Sequence, residues 1–358
     1  MDKYKPTYTD ISEWQINHYQ NTGGTRSKKI ALNPENDTEY FFKGSKQLPS
    51  GEIRYPTEFW SEIVSSKIGQ FLGFDMLDYN IGYNSRDKKQ KIGCLSQSMI
   101  DNNQNKLTEG KAYLTGFNPY YNPDTDKSDY TFQFIDRTLK YYRLDGYINN
   151  LIEVIIFDAV ISNSDRHQEN WGVITNFKQT IKKIDEEIKD SKRSIVEKIL
   201  LRLHRLSIKS IAKSIERRST LKIQSDMVMH NFAPIYDSGC CLGREKEHHI
   251  VEQMLKDNNQ LESYTNKGVS EIHWEGFKKK KSHFELVKLL KQEYPQKTEE
   301  VLNRIKSKYN SENIKSIIYN IDNNLPSELL SSYKLSEERK ELMFKIISLR
   351  VQKLIELL

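Results

Sequence analysis

Apolar and polar residues follow different periods along this chain, and each change of period marks a new element. Between residues 20 and 45 the period is two. Lys29-Ile30-Ala31-Leu32 and Glu39-Tyr40-Phe41-Phe42-Lys43 form extended runs, separated by the turn Asn33-Pro34-Glu35-Asn36-Asp37 and preceded by the Gly-containing turn 21–28. Alternation places Phe41 and Lys43 on one face and Tyr40 and Phe42 on the other. Over residues 57–72 the spacing becomes helical, with Phe59, Ile63, Val64, Ile68, Phe71 and Leu72 on the apolar side. Thr57 is a candidate cap for this helix, and Gly73 ends it. Two short strand-like runs follow at 77–83 and 92–99, and the polar stretch 101–129, broken by Gly, Pro and Asn, is expected to be loop.

Residues 151–161 are almost wholly apolar, which predicts a helix buried on all sides. It leads directly to Asn163 and Asp165. Short strands are expected at 171–175 and 232–236. Between them Ile181, Ile184, Ile188, Ile195, Ile199, Leu203 and Leu206 fall at three- or four-residue steps with one longer gap, which fits two amphipathic helices or one long one. From residue 245 to the end the pattern is helical, with Pro295 and Pro326 as breaks.

Composition narrows the class. A hydrophobic share of 37% is modest, but 20 Tyr and 14 Phe in 358 residues can build a core. No apolar run of about 18 residues occurs, so no transmembrane segment is expected. No secretory signal is visible either, which fits a cytoplasmic protein or one delivered into a host cell. Cys94, Cys240 and Cys241 are an odd count with one adjacent pair, so a disulfide framework is not expected and a reducing compartment fits. The net charge of +6 is concentrated: residues 178–222 hold 14 Lys+Arg against 6 Asp+Glu, a local +8 that leaves the remainder at −2. Two readings of this basic stretch stand side by side. One is an amphipathic pair that packs its Ile/Leu stripe inward and solvates its charges. The other is a docking surface for nucleic acid, an acidic membrane or an acidic partner.

The candidate chemistry starts at Asn163-Ser164-Asp165-Arg166-His167-Gln168-Glu169-Asn170-Trp171-Gly172. Asp165 and Asn170 have the D-x-x-x-x-N spacing of phosphoryl-transfer loops, in which the Asp orients the attacking hydroxyl and the Asn holds a metal ion. Asp237, in Tyr-Asp-Ser-Gly, is a second acidic candidate, and with Asn170 it offers hard oxygen ligands for Mg2+. Arg166 and His167 are expected to brace the loop. Gly23-Gly24 could let backbone N–H groups approach phosphates, although a Gly pair also suits a plain hairpin.

These pieces resemble the HipA-like serine/threonine kinases over roughly residues 20–310. The motifs that carry the resemblance are 162–172, Phe157-Asp158, Gly23-Gly24-Thr25-Arg26-Ser27-Lys28, Ser61-Glu62 and Tyr236-Asp237-Ser238-Gly239. The resemblance implies an α+β, two-lobed kinase-like fold with a small antiparallel β N-lobe and a mostly helical C-lobe. It implies an N-lobe at 1–95, a hinge at 96–102 and a C-lobe at 103–358 with a basic insertion at 178–228. It looks like a stand-alone core without the extra N-terminal subdomain of the family, and it has Asn21 where many relatives carry a serine.

By the same resemblance Asp165, Lys43 and Glu62 are catalytic, with Glu58, one turn earlier, as the rival of Glu62. Gly23, Gly24, Thr25, Lys28, Lys43, Ser96, Met99 and His167 would contact ATP, and Asn170 and Asp237 would hold Mg2+. The implied activity is transfer of the ATP γ-phosphate to a protein Ser or Thr, with autophosphorylation. The implied biology is a toxin that acts on a translation component and is restrained by a small antitoxin-type protein. Two alternatives remain: a phosphoinositide-type lipid kinase, which also uses Asp-Arg-His-x-x-Asn, and an inactive scaffold or nucleic-acid-binding protein that uses the basic insertion.

Overall fold

The computed structural model describes residues 2–18, 28–48, 50–101, 104–215 and 228–358. Gly23, Gly24 and Thr25 lie outside the described residues. The chain begins with β1 (Tyr8–Asp10), β2 (Gln15–His18), β3 (Lys28–Leu32), β4 (Glu39–Lys43), α1 (Glu58–Leu72), β5 (Asn80–Tyr83), β6 (Ile92–Gln97) and β7 (Asn105–Glu109). Next come α2 (Gly110–Phe117), α3 (Phe132–Tyr141), α4 (Ile148–Ile161), β8 (Gly172–Asn176), α5 (Phe177–Lys189), α6 (Ile195–Ile215) and β9 (Met229–Phe232). Seven helices complete it: α7 (His248–Lys256), α8 (Asn258–Asn266), α9 (His283–Glu293), α10 (Pro295–Lys308), α11 (Ser311–Tyr319), α12 (Ser327–Tyr333) and α13 (Glu337–Ile355). The architecture is α+β, a curled sheet followed by a mostly helical region. Contacts gather it into two compact units, one of residues 1–98, 151–166 and 234–358, the other of 99–150 and 167–233.

In the first unit a six-stranded sheet runs in the order β1-β5-β6-β4-β3-β2. Its pairs are antiparallel except β1 with β5, which is parallel, so the expectation of an antiparallel sheet is corrected at that edge. Phe42, Ala31, Leu95 and Ile11 form the apolar cluster on one face, with Trp14, Ile16 and Tyr40 packed against it. Lys43 therefore emerges on the opposite face. The Asn33 side chain accepts from Glu35 N and tightens the β3–β4 turn.

Helix α1 is buried on nearly every side, which carries Ser61, Glu62, Ser65 and Lys67 out of water along with its apolar residues. Gly73 stops it in the left-handed conformation (φ 85°), donating to Gln70 O while Phe74 N reaches Gly69 O. Thr57 occupies the N-cap position, but its side chain makes no capping bond, which corrects the expected cap. The apolar α4 is buried as its sequence requires. Phe157 on α4 packs on Phe74 with ring centroids 5.0 Å apart. Of the run read as a strand at 77–83, only Asn80–Tyr83 is strand, because Leu77 N instead bonds Ile235 O. Pro295 opens α10 and Pro326 precedes α12.

In the second unit β7, β8 and β9 form an antiparallel sheet. Strand β7 and helix α2 occupy part of the stretch expected to be loop. Strand β7 has little apolar content of its own, and it is strand because β8 supplies a full ladder of backbone partners. The strand expected at 232–236 ends at Phe232. Pro234, with no N–H to give a ladder, divides it, and Ile235 bonds to Asp75 and Leu77 in the first unit. Trp171 lies parallel to the Phe232 ring at 6.3 Å and donates from Nε1 to Tyr130 Oη at 2.9 Å. A Cβ on Gly110 would come within 2.2 Å of the Trp171 ring, so glycine is needed there.

The described part of the basic stretch, up to residue 215, forms two helices. Ile181, Ile184 and Ile188 of α5 pack with Phe177, Leu201, Ile208 and Val228. Ile195, Ile199, Leu203 and Leu206 face outward, which corrects the reading of a single inward stripe. After the turn between the helices, Leu201 and Ile208 are the apolar residues of α6 that join the α5 cluster, and the other set rotates into solvent. Among the described residues no helix is long and apolar enough to cross a membrane.

Candidate active site

The site in the first unit begins with a like-charge problem. Lys43 on β4 pairs in register with Lys28 on β3, so two ammonium groups stand directly opposite on one face. Such a pair is unfavourable unless an anion lies between. Asp237 supplies it: Oδ1 lies 2.5 Å from Lys43 Nζ and Oδ2 3.6 Å from Lys28 Nζ. Asp237 itself sits in the left-handed region (φ 54°), a conformation open to Asp in turns.

Glu62 completes the arrangement. Its Oε2 lies 3.2 Å from Lys43 Nζ, and its Oε1 accepts from Ser238 N at 2.7 Å. One buried carboxylate thus positions both the lysine and the turn that carries Asp237. Glu58 is engaged elsewhere, with Arg244 at 2.5 Å and Lys46 N at 2.8 Å. Gly239 shows why the motif ends in glycine, since a Cβ there would stand 2.6 Å from Glu62 Oε2. Tyr79 Oη accepts from Asp237 N at 3.3 Å, and burial together with the Glu62 carboxylate holds this phenol well above its usual pKa and therefore neutral.

Asp165 follows α4 on the stretch 162–166. Ser162 takes φ 59°, Asn163 N bonds Asp158 O, and Asp165 N donates to Asn163 Oδ1 at 3.3 Å. Arg166 ties this loop to the Asp237 turn. Its Nε and Nη2 grip both oxygens of Asp158 at 2.9 and 2.8 Å, its Nη1 donates to Tyr236 O at 2.6 Å, and Nη2 donates also to Ser238 Oγ at 2.9 Å. Burial works against the guanidinium charge, but the Asp158 carboxylate outweighs it and raises the pKa above the ordinary arginine value. Arg166 therefore brackets Asp237 from both sides in sequence.

Behind the loop, His283 at the start of α9 bonds Asn163 O through Nε2 at 2.8 Å. Arg350 of α13 donates to its Nδ1 at 2.9 Å, which fixes Nε2 as the protonated nitrogen. One contact had no sequence signal. Cys240 Sγ lies 2.9 Å from Asp165 Oδ2 and 3.0 Å from Arg244 Nη2. A cysteine three residues past a metal-ligand candidate has no spacing that would tie it to Asp165.

Ser96 is buried on β6 opposite Phe41, on the face that Lys43 shares. Met99 begins the second unit. His167 and Asn170 belong to that unit too. His167 Nδ1 accepts from Glu169 N at 3.2 Å, and Asn170 is buried, its N–H bonded to His167 O. Lys111 anchors this segment through Glu169 at 2.7 Å.

The donor set suits a magnesium nucleotide. No three His, Cys, Asp or Glu among the described residues gather to hold a metal unaided. Mg2+ bound with nucleotide needs no such group, since one or two carboxylates and the phosphate oxygens suffice. Asp237 is a carboxylate of that kind, beside two lysines suited to phosphate oxygens.

No protein-family model matches the sequence, and no curated protein matches it. Among solved structures, the crystal structure of the Helicobacter pylori proinflammatory kinase CtkA is similar with a TM-score of 0.66, covering 98% of this chain and 96% of that chain at 16% sequence identity. The chain has a kinase-like fold. At that identity the likeness speaks for the fold, and the case for chemistry rests on Lys43, Glu62, Asp165 and Asp237.

Proposed function

We propose that this chain is an ATP- and Mg2+-dependent serine/threonine protein kinase of the HipA-like type. The observation that carries the reading is the convergence of Lys43, Glu62 and Asp237, drawn from three separate stretches, on a kinase-like fold. Lys43 binds α- and β-phosphate oxygens, and Glu62 holds it extended. Asp237 would ligate Mg2+, with Asn170, by its spacing from Asp165, assigned a second metal contact, and the bound ion would supply charge neutralisation at the phosphates.

Asp165 orients the acceptor hydroxyl and takes its proton while the γ-phosphorus exchanges its bond to the β-phosphate oxygen for one to the acceptor oxygen. Gly23, Gly24 and Thr25 are assigned to cover the phosphates, with Lys28 beside them. Ser96 and Met99 are assigned to the adenine side. A toxin role against a translation component, with a small inhibitory partner, is the biology that this resemblance brings with it.

The test needs no known substrate. The chain is incubated with Mg2+ and γ-labelled ATP, and the products are examined by mass spectrometry. Phosphoserine or phosphothreonine on the chain, lost in Asp165→Asn, is the expected result. No label on the chain, on a protein lysate or on phosphoinositide vesicles would sink the reading, and label on the lipid alone would favour the lipid-kinase alternative.

A further inference from the structure

Among the described residues, helix α6 presents an apolar face with no partner. Ile195, Val196, Ile199, Leu200, Leu203 and Leu206 are each between 50% and 79% exposed. At about 100° per residue these six lie within an arc of about 140°. The opposite side of the helix holds Leu201 and Ile208, which pack toward α5. The helix is thus fixed to the protein by one apolar edge and turns a second, larger one outward. Contiguous aliphatic surface of this kind is unfavourable in water and marks a docking face.

Charge identifies what docks. Lys198, Arg202, Arg205 and Lys209 fall together within about 60° along one border of the apolar arc. Arg205 is held by Asp185 at 2.6 Å, while Arg202 and Lys209 are exposed. No Asp or Glu of α6 lies on that border, since Glu197 is on the other flank. Aliphatic side chains edged by a single row of cations match an anionic lipid surface, into which the apolar face sinks while the long basic side chains reach the headgroups. RNA would engage the cations and leave the six aliphatic groups in water. Protein-binding faces favour aromatic anchors, and none of the six is aromatic.

We infer that the outer face of α6 docks the protein onto an anionic membrane surface, in the interfacial plane and without crossing the bilayer. This goes beyond the proposed phosphoryl transfer and does not depend on it.

The test is flotation of the full chain with vesicles of phosphatidylcholine alone and of phosphatidylcholine with phosphatidylserine. Recovery with the anionic vesicles only, weakened by added salt, is expected. Leu200→Glu with Leu203→Glu should lower binding about tenfold or more, and Lys198→Glu with Arg202→Glu should remove the preference for anionic lipid. Circular dichroism and thermal unfolding should be unchanged in both, because Leu200, Arg202 and Leu203 are exposed and Lys198 is half-buried at the helix edge. No recovery of the wild type, equal recovery with neutral vesicles, or indifference to the Leu substitutions would each overturn the inference. So would a dimer that Leu203→Glu dissolves in a chain that ignores vesicles, or RNA capture in their place.

Discussion

Arg166 and Asp158 form a two-point ion pair almost wholly out of water, with the free edge of the guanidinium turned onto Tyr236 O and Ser238 Oγ. The pair connects the end of α4 to the turn that carries Asp237. Removing one partner leaves the other as an uncompensated buried charge, which costs about 3–5 kcal/mol. Asp158→Ala is therefore expected to lower stability by that order, read as a fall in urea midpoint. An unchanged midpoint would mean that water enters the site and that the pair does not hold the turn.

Lys43 and Glu62 should behave as a unit. Lys43→Met removes the cation aimed at phosphate, and loss of one such preorganised contact lowers turnover about 100-fold or more. Glu62→Gln keeps an acceptor for Ser238 N and should cost less. The double variant should be no worse than Lys43→Met alone, since Glu62 acts through the lysine. Initial rates with γ-labelled ATP check this, and multiplicative losses would show that Glu62 has a separate task.

Gly239 offers a finer probe of the same geometry. Its φ is not in the left-handed region, so an alanine meets no backbone strain, and the new Cβ crowds the end of the Glu62 side chain while meeting Glu58 at an ordinary contact distance of 3.6 Å. Gly239→Ala should therefore fold normally while displacing Glu62 from Lys43 and Ser238. A roughly tenfold loss of turnover with little change in unfolding midpoint is expected. Full activity in Gly239→Ala would show that the Glu62 position is not critical.

How much of this was legible in the sequence depended on whether the signal was local. Gly73, the apolar α4 and the paired runs of β3 and β4 declare themselves within one window, because periodicity and turn residues act over a few positions. Strand β7 did not, since its identity comes from β8, which is more than 60 residues away in the chain. The parallel partner of β1 and the break at Pro234 are likewise decided by distant backbone. Helix α6 was visible as a helix, but which of its two apolar edges turns inward is settled by α5. At the site, motif spacing could nominate Lys43, Glu62 and Asp237 one by one. Their shared carboxylate–lysine contacts, and Cys240 against Asp165, are three-dimensional facts with no spacing of their own.

His283 makes the folded protein less stable in acid. Burial first, and then the Arg350 guanidinium, lower its pKa from 6.5 to about 3. Between those values the unfolded chain binds a proton that the folded chain refuses, so stability is complete above about pH 6.5 and falls as pH drops toward 3. The loss attributable to this one group is roughly 3 kcal/mol between pH 7 and pH 4. Its neighbours are Arg350, which already carries a charge and donates to Nδ1, and the Asn163 carbonyl, which accepts from Nε2. Arg350 opposes a second proton on the ring, and with burial it outweighs the Asn163 and Gly268 carbonyls, which favour one. His283→Gln can keep both contacts, with its amide N–H on Asn163 O and its carbonyl toward Arg350, and it does not titrate in this range. Urea midpoints measured from pH 4 to pH 7 should therefore fall with acid less steeply in His283→Gln than in the parent, by close to one proton's worth of slope. Parallel curves would place the acid sensitivity in the carboxylates and leave His283 as packing alone.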